Sequence, residues 1–560
     1  MDDVQLLPAH HRARLRRRVH LRQVEEEMGP THQRVYDYIR RIITKIKPNK
    51  MFKPTTLYYT DGYKIGHKSM LAEGTDFLYG TWIPRSTKHA PKGISKIVSF
   101  GQQLTWRWIH DEFTENFFNQ PIEKAEKFVR DMINYLGMDY NGDHFIELHK
   151  LGYLPVRVKA LPEGIETRPN VPHMTFINTK KGYAWLTLFL ETIVSSLAWK
   201  PATSATIALK YNRNLYEWVL KTDPANAWLI PFLAHDFSAR GIDPWTMVSS
   251  GLGHATSFRG SDTLVVIEAA RYFYLEPENE VAINSVNASE HSVSTTKIFT
   301  VGEKQMLVDW MNKFNKGILS AVMDTFDITK VAKPGEGGYC FDLKDQIMGR
   351  DGKLVIRPDS GDPVEIICGH GRTELTDNEK RAFYPEFYTK GLIECLWDIF
   401  GGTINEQGYK VLDPHIGAIY GDSITTDRQV EIYERLADKG FAATNIVLGV
   451  GSYTYQFNTR DTFGFAAKGA WFEANGVAHD IYKDPISDDG TKKSLKGLIA
   501  VHETEDGDHS VSVQCKLDEE KEGLLQIIYQ DGKFYNETSL TEIRGKIEVL
   551  AKSGTELVTA

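Results

Sequence analysis

The chain has 560 residues, of which 41% are hydrophobic and 25% are charged, with a formal net charge of −8. This length exceeds one simple core and predicts several domain-sized units of a globular protein. The acidic balance gives no general attraction for nucleic acid or for an anionic membrane, so we expect neither as a partner. The four cysteines lie far apart without a CxxC pair, which is typical of a reducing compartment such as the cytoplasm.

Residues 1–50 differ in composition from the rest of the chain. Five arginines between positions 12 and 18 are followed by three glutamates at positions 25–27. Charge blocks of this kind usually stay solvated, so we predict an N-terminal extension that is partly disordered. Five apolar residues at helical spacing predict one short amphipathic helix within it: Val35, Ile39, Ile42, Ile43 and Ile46.

Residues 51–185 alternate apolar and polar positions between tight turns, which predicts a β-rich α+β domain. We expect segments from about 465 to 560 to complete it. An aromatic loop at 58–67 carries Asp61, Tyr63 and Lys64. These residues alone fit a functional loop and a tyrosine-lined packing loop equally well. The apolar segment 183–199 is interrupted by Glu191, so it is predicted to be a buried helix and not a membrane span.

From 186 to 464 the chain repeats one pattern, in which a short apolar run stops at polar and turn residues. In 354–363, Leu-Val-Ile is followed by Arg357, a proline and Asp359. Similar strand ends occur at 232–241, 321–324, 417–422 and 445–451, and 264–267 is predicted to be a further strand. The separations allow helical crossovers, so the pattern predicts an irregular, TIM-like parallel α/β barrel. Its functional site is expected at the carboxyl ends of the strands.

The residues at these strand ends favour a site for a phosphorylated sugar and a metal. Three acids follow successive strands: Asp324, Asp359 and Asp422. Converging acids suit Mg²⁺ or a sugar diol, although any one of them is more often a turn or cap residue. Gly451 lets backbone N–H groups approach a phosphate, and Arg460 and Lys468 follow it. An unrelated metal-dependent barrel hydrolase is a further interpretation at this point.

Seven motifs in order then establish a resemblance. They are 60–64 (Thr-Asp-Gly-Tyr-Lys), 235–241 (His-Asp-Phe-Ser-Ala-Arg-Gly), 260–263 (Gly-Ser-Asp-Thr), 290–292 (Glu-His-Ser), 356–363, 421–422 and 459–461. With them the chain resembles the nicotinamide phosphoribosyltransferases of the type II phosphoribosyltransferase family, from about 55 to about 549. The resemblance implies transfer of phosphoribosyl from phosphoribosyl pyrophosphate to nicotinamide in NAD salvage. It also implies the architecture of the type II phosphoribosyltransferases and a homodimer with shared active sites. The implied cofactor is Mg²⁺, and ATP is the implied coupling substrate.

The resemblance assigns four residues to nicotinamide. Phe237 and Tyr63, one from each subunit, would enclose the pyridine ring, and Arg357 would border the same slot. Asp262 would accept a hydrogen bond from the carboxamide and repel the carboxylate of nicotinate.

The remaining matches concern the ribose, the phosphates and ATP. Those implied to bind ribose or phosphate are Arg85, Arg240, Asp422, Gly451, Arg460 and Lys468. Asp359 would lie at the ribose and the metal. His291 would accept a phosphoryl group from ATP, with Asp324 beside it.

Two positions depart from the family pattern, because Ala466 replaces a serine and Ser452 replaces a glycine near the phosphates. Two other functions also fit the fold. A nicotinate phosphoribosyltransferase is one, and Asp262 argues against it. A non-catalytic binding protein is the other, and folding alone would not require Arg357, Asp359, Asp422 and His291 together.

Overall fold

The computed structural model describes residues 53–137, 140–372, 374–421, 423–487 and 493–553. The predicted N-terminal extension at 1–50, with its helix, and Asp422 therefore lie outside the described residues. Residues from Tyr59 onward form one compact unit, and the part before it is described only for 53–58, with a 3-10 turn at Thr56–Tyr58. The predicted domain boundaries at 185 and 464 stay predictions.

The strands, in chain order, are β1 Thr75–Ile83, β2 Ile97–Val98, β3 Val156–Ala160, β4 Glu166–Thr167, β5 Met174–Asn178, β6 Ala234–Asp236, β7 Asn287–Ala288, β8 Leu319–Val322, β9 Leu354–Arg357, β10 Gly402–Ile404, β11 Lys410–Leu412, β12 Ile416–Tyr420, β13 Ile446–Val450, β14 Ala466–Ala474, β15 Val477–Asp480, β16 Leu498–Glu503, β17 His509–Cys515, β18 Gln526–Gln530 and β19 Lys533–Phe534.

The α-helices are α1 His67–Met70, α2 Gln102–Phe113, α3 Glu123–Leu136, α4 Asp143–Leu151, α5 Ala184–Phe189, α6 Glu191–Thr222, α7 Pro244–Ala255, α8 Val265–Tyr274, α9 His291–Val301, α10 Glu303–Lys313, α11 Ile328–Val331, α12 Tyr339–Asp342, α13 Lys344–Met348, α14 Pro363–Cys368, α15 Phe387–Lys390, α16 Leu392–Phe400, α17 Thr426–Asp438, α18 Ser452–Gln456 and α19 Leu540–Ser553. The other 3-10 turns are Gly62–Gly66, Pro224–Phe232, Ser238–Gly241, Glu379–Arg381, Ala443–Asn445, Arg460–Thr462 and Glu519–Lys521, and a π turn spans Thr114–Phe118.

A six-stranded parallel sheet forms the barrel part of the fold, in the order β6-β13-β12-β9-β8-β7. Beyond β6, single parallel bridges join Asp236 to Ser261 and Gly260 to Asn284. Asn284 lies only three positions before β7, the strand at the opposite edge, so the sheet curls back towards itself. The predicted α/β fold with an irregular parallel barrel is confirmed.

A seven-stranded sheet uses strands from both ends of the chain. Its order is β15-β14-β1-β5-β3-β18-β19, and its pairings are antiparallel. The segment predicted to be β-rich also contains α2, α3 and α4. In α3 the buried residues Ala125, Phe128 and Met132 recur at helical spacing, which explains why this stretch is not a strand.

The apolar segment at 183–199 is helical, as predicted, but it belongs to two helices. α5 ends at Phe189, and α6 begins at Glu191 and continues for 32 residues. Within the described part of the chain, no helix is long and apolar enough to cross a membrane.

The prediction of a strand at 264–267 is wrong, because Leu264 is the N-cap of α8 and the next three residues begin this helix. The buried side chains of this helix follow a helical repeat that extends beyond the short apolar run: Val266, Ala269, Ala270, Phe273 and Tyr274. A run of four apolar residues does not distinguish a strand from a helix. Asp262 therefore lies before a helix, at the end of a short bridge to β6.

A buried aspartate at the end of β6 contributes to this closure. The Asp236 carboxylate accepts hydrogen bonds from Ser238 N at 2.9 Å, Thr263 Oγ1 at 2.7 Å and Ser261 Oγ at 3.3 Å. The Asp236 side chain is fully buried. If the carboxylate were removed, these donors would have no acceptor and no bulk water to replace it.

We expect Asp236→Ala to lower the free energy of unfolding by about 2–4 kcal/mol, because it leaves buried donors unpaired. Urea unfolding followed by tryptophan fluorescence measures the change. Asp377→Ala is the matched control, since the Asp377 side chain is 91% exposed, and should change it by less than about 0.5 kcal/mol. Equal stability of the two variants would contradict the role given to Asp236.

Candidate active site

Phe237 and Arg357 lie side by side in a slot at the carboxyl end of the barrel. Phe237 directly follows β6, and Arg357 ends β9. The Arg357 guanidinium carbon lies 4.9 Å from the centre of the Phe237 ring. Within the described residues, the buried Nε of Arg357 has no hydrogen-bond partner. The guanidinium and the Phe237 ring are therefore in direct cation–π contact, and together they form one wall against which a flat ring can lie.

The slot is continuous with a cavity of about 370 Å³ inside the barrel. Phe237, Asp262 and Arg357 line the cavity at the carboxyl ends of the strands, and Trp228 and Lys353 line it near the amino ends. A cavity of this size suits a small organic molecule.

Asp262 lies at the edge of the slot, next to two donors. His235 Nε2 is 3.0 Å from Asp262 Oδ1, and Ser285 Oγ donates to the same oxygen. Partial burial raises the pKa of Asp262, but the hydrogen bonds from His235 and Ser285 and the charge of Arg357 outweigh it. The pKa therefore lies below its ordinary value, and the carboxylate is ionised at neutral pH.

A histidine and two acids lie beside the slot. His291 Nε2 is 2.9 Å from Asp324 Oδ1, and His291 Nδ1 is 4.0 Å from Asp359 Oδ2. The other Asp324 oxygen accepts from the Asp359 backbone N at 2.9 Å, while Asp359 Oδ1 accepts from Arg357 at 3.2 Å. These contacts form a continuous row of polar contacts from Arg357 to Asp324.

Two glycines let these groups approach the ends of β12 and β13. A Cβ atom on Gly421 would lie 2.5 Å from Asp359 Oδ1 and 2.8 Å from Arg357 Nε. A Cβ atom on Gly449 would lie 2.8 Å from the Phe237 ring. Any side chain at either position would displace part of the slot.

The residues predicted to bind phosphate on the barrel meet at its rim. Arg240 is exposed in the turn Ser238–Gly241, whose Gly241 packs against Ser452. Gly451 comes immediately before Ser452, at the end of β13. Ser452, one of the two departures from the family pattern, thus lies at this contact.

The other predicted residues form a second cluster. Tyr63 and Arg460 line a cavity of about 230 Å³, and Tyr63 Oη donates to Asp61 Oδ2 at 3.4 Å. Arg85 and Lys468 line another cavity, of about 210 Å³. Neither cavity shares a lining residue with the slot.

The charges of this second cluster act on one another. Burial lowers the pKa of Lys468, and the nearby positive charges of Arg85 and Arg460 lower it further, whereas Glu191 opposes the shift. The cluster is therefore a partly buried, predominantly cationic surface.

The structure brings one set of predicted site residues together at the barrel: Phe237, Arg240, Asp262, His291, Asp324, Arg357, Asp359 and Gly451. The second set is Tyr63, Arg85, Arg460 and Lys468, and Asp422 lies outside the described residues. The roles of all of them stay predictions. Sequence reasoning missed His235 and Ser285 as neighbours of Asp262. His235 was detectable, because strand alternation places it on the same side as Phe237.

Comparisons with known proteins agree with this architecture. The profile of the nicotinate phosphoribosyltransferase (NAPRTase) family matches residues 232–532. A nicotinamide phosphoribosyltransferase of Acinetobacter baylyi is 39% identical over 516 residues, which cover 89% of this chain and 97% of that protein. One from Xanthomonas campestris pv. campestris is 29% identical over 505 residues, which cover 87% and 97%.

Among solved structures, the nicotinate-nucleotide pyrophosphorylase from Pyrococcus furiosus shares the fold. Its TM-score is 0.51 at 16% sequence identity, and the alignment covers 90% of this chain and 96% of that chain. The family profile spans the barrel strands from β6 to β13 and continues through the C-terminal strands to β18. The chain belongs to the nicotinate phosphoribosyltransferase family.

Proposed function

We propose that the protein transfers phosphoribosyl from phosphoribosyl pyrophosphate to nicotinamide, giving nicotinamide mononucleotide and pyrophosphate for NAD salvage. The observation that carries this proposal is the ionised Asp262 at the edge of the slot that Phe237 and Arg357 line. A carboxamide donates a hydrogen bond to that carboxylate, whereas the carboxylate of nicotinate is repelled by it. The names of the relatives from Acinetobacter baylyi and Xanthomonas campestris support the same substrate.

The chemistry requires little proton transfer, because the pyridine nitrogen is already a nucleophile. Displacement at the anomeric carbon builds positive charge on the ribose and negative charge on the departing pyrophosphate. Asp359 faces the first charge in this proposal, with Asp422 as its predicted companion. Arg240 and Gly451 hold phosphate at the rim. Most of the rate acceleration then comes from positioning and electrostatics.

We include Mg²⁺ in the proposal, with Asp359 as the residue that would bind the ion. In the described part of the chain, no three His, Cys, Asp or Glu side chains form a metal cluster. Mg²⁺ commonly uses one or two protein carboxylates together with substrate phosphates, so it needs no such cluster. Asp359 is half-buried at the slot and would supply such a carboxylate. Bound there, the ion would offset the negative charge of the pyrophosphate.

An assay of purified protein with phosphoribosyl pyrophosphate and Mg²⁺, offered nicotinamide and nicotinate separately, tests the function. We expect the wild type to use nicotinamide. Asp262→Asn removes the repulsive charge, so the preference for nicotinamide, measured as the ratio of kcat/KM values, should fall by about 100-fold.

Asp377→Asn, at a highly exposed position, is the control and should keep the wild-type ratio. Wild-type product from nicotinate alone would favour the nicotinate phosphoribosyltransferase alternative. No product from either base would favour a binding protein that retains the fold.

We also propose that the protein works as a homodimer whose sites combine both clusters. Within one chain, Tyr63 lines a cavity with Arg460, apart from the cavity that holds Phe237. The pyridine ring could be enclosed by both aromatic side chains if Tyr63 comes from the partner. A closed two-fold dimer would build two such sites.

Mixed dimers of two inactive variants test this arrangement. Asp359→Ala disables the barrel cluster, and Lys468→Ala disables the cationic cluster. Coexpression at equal levels should restore about a quarter of wild-type activity, because half of the dimers are mixed and each has one intact site. Asp359→Ala with Asp262→Ala should restore none, since both changes fall on the same cluster. Equal recovery in both mixtures would contradict a shared site.

We propose that ATP drives synthesis through phosphorylation of His291. In the neutral ring, Nε2–H donates a hydrogen bond to Asp324, so Nδ1 carries the lone pair. Nδ1 attacks the γ-phosphorus of ATP, a new N–P bond forms, and ADP leaves with the electrons of the broken P–O bond. The side chain is 43% exposed, which leaves Nδ1 open to a nucleotide.

His291→Ala should make nicotinamide mononucleotide without any increase on addition of ATP, whereas the wild type should gain yield. Radiolabel from γ-³²P ATP should enter the wild type as an acid-labile adduct and should be absent from the variant. Asp324→Asn should reduce labelling, because the ring loses its orienting acceptor. A full response of His291→Ala to ATP would contradict this role.

We propose the cytoplasm as the place of action. The four cysteines, three of them buried, are free thiols. Burial also raises the pKa of Cys340 to about 12, which keeps this thiol protonated and unreactive. Unpaired thiols are typical of a reducing compartment.

A further inference from the structure

The two oxygens of the Asp262 carboxylate have different surroundings. Oδ1 lies 3.0 Å from His235 Nε2 and also accepts from Ser285 Oγ. Within the described residues, no donor reaches Oδ2. The Asp262 side chain is 41% exposed and lines the cavity with Phe237 and Arg357.

We infer that His235 is a positioning residue for nicotinamide specificity: its Nε2–H holds Asp262 Oδ1, so that Oδ2 faces the slot and accepts from the carboxamide. This inference rests on the proposed function, because it takes nicotinamide as the molecule in the slot. It assigns a purpose to a side chain that the proposed chemistry does not otherwise use.

The His235 ring is held in a defined orientation. It packs against Phe237 with ring centres 4.6 Å apart and an interplanar angle of 34°. On another side it meets Gly260, where an added Cβ atom would lie 3.0 Å from His235 Nδ1. Because an ionised carboxylate only accepts hydrogen bonds, the ring nitrogen that contacts it, Nε2, carries a proton.

This geometry explains how one carboxylate can be both anchored and available. Two donors occupy Oδ1, so rotation of the carboxylate would break both hydrogen bonds. The free oxygen then has a fixed direction, which favours an amide donor and gives nicotinate nothing to pair with. Loss of His235 would weaken binding of nicotinamide but would leave the groups at the ribose unchanged.

The main test is the dissociation constant of nicotinamide, measured by isothermal titration calorimetry, together with KM and kcat. His235→Ala should raise the dissociation constant and KM by about 10-fold, the cost of one hydrogen bond to a charged group, while kcat changes by less than about 3-fold. His235→Gln should recover most of the affinity, because its amide offers a donor at a similar reach.

A double-mutant cycle separates positioning from packing. If His235 acts through Asp262, then His235→Ala should have less than about a 2-fold effect on the dissociation constant in the Asp262→Asn background. The matched control is a His–Asp pair at the other end of the barrel, where His415 Nδ1 is 2.8 Å from Asp413 Oδ1. His415→Ala should leave the dissociation constant unchanged.

Three results would overturn the inference: a fall in kcat with unchanged affinity, the same effect of His235→Ala in the Asp262→Asn background, or no recovery in His235→Gln. Failure of the proposed function has a different signature. Nicotinamide that binds with the expected cycle but is never converted would refute the function and support the inference. Normal turnover without coupling between His235 and Asp262 would refute only the inference.

Discussion

The buried carboxylate of Asp236 is the interaction on which the catalytic end of the barrel depends. It joins the end of β6 to the bridge before α8 through Thr263 and Ser261. Asp262 lies between these two residues, so its position follows from the same contacts. The residues on either side of Asp236, His235 and Phe237, both line the cavity, as strand alternation requires. One acid thus serves the fold, and its neighbours serve the slot.

The row from Arg357 to Asp324 shows how charged groups can lie close together without full solvation. Asp359 accepts from Arg357, and Asp324 contacts both His291 and the backbone of Asp359. Each negative group therefore has a donor beside it, which offsets part of its desolvation cost. Asp324 makes hydrogen bonds to His291 and to the backbone N–H of Asp359, so it couples the position of the histidine to the end of β9. In the proposed mechanism, phosphorylation of His291 would place new negative charge close to Asp359.

The strand ends were predictable, because β8, β9, β12 and β13 are buried runs that stop at turn or polar residues. The closure of the barrel was not, since it uses single-residue bridges at Ser261 and Asn284 that have no strand-length pattern. The sequence predicts a strand where the helix at 265–274 begins, because the first apolar residues of this helix are consecutive. Ser285 reaches Asp262 from a loop 23 positions away, and nothing in the spacing of the two residues indicates that contact.

The cationic cluster gives a physical reason for expecting an anion there. Glu191 is the acid whose charge raises the pKa of Lys468. The Glu191 carboxylate, however, already accepts a hydrogen bond from Lys64 at 2.6 Å. Arg85 and Arg460 add positive charge to the same surface, and partial burial makes that charge costly. A bound pyrophosphate would offset the cost of burying these positive charges. Release of the pyrophosphate as product would restore that cost. In the proposed dimer, this surface would therefore favour binding of the leaving group next to the slot.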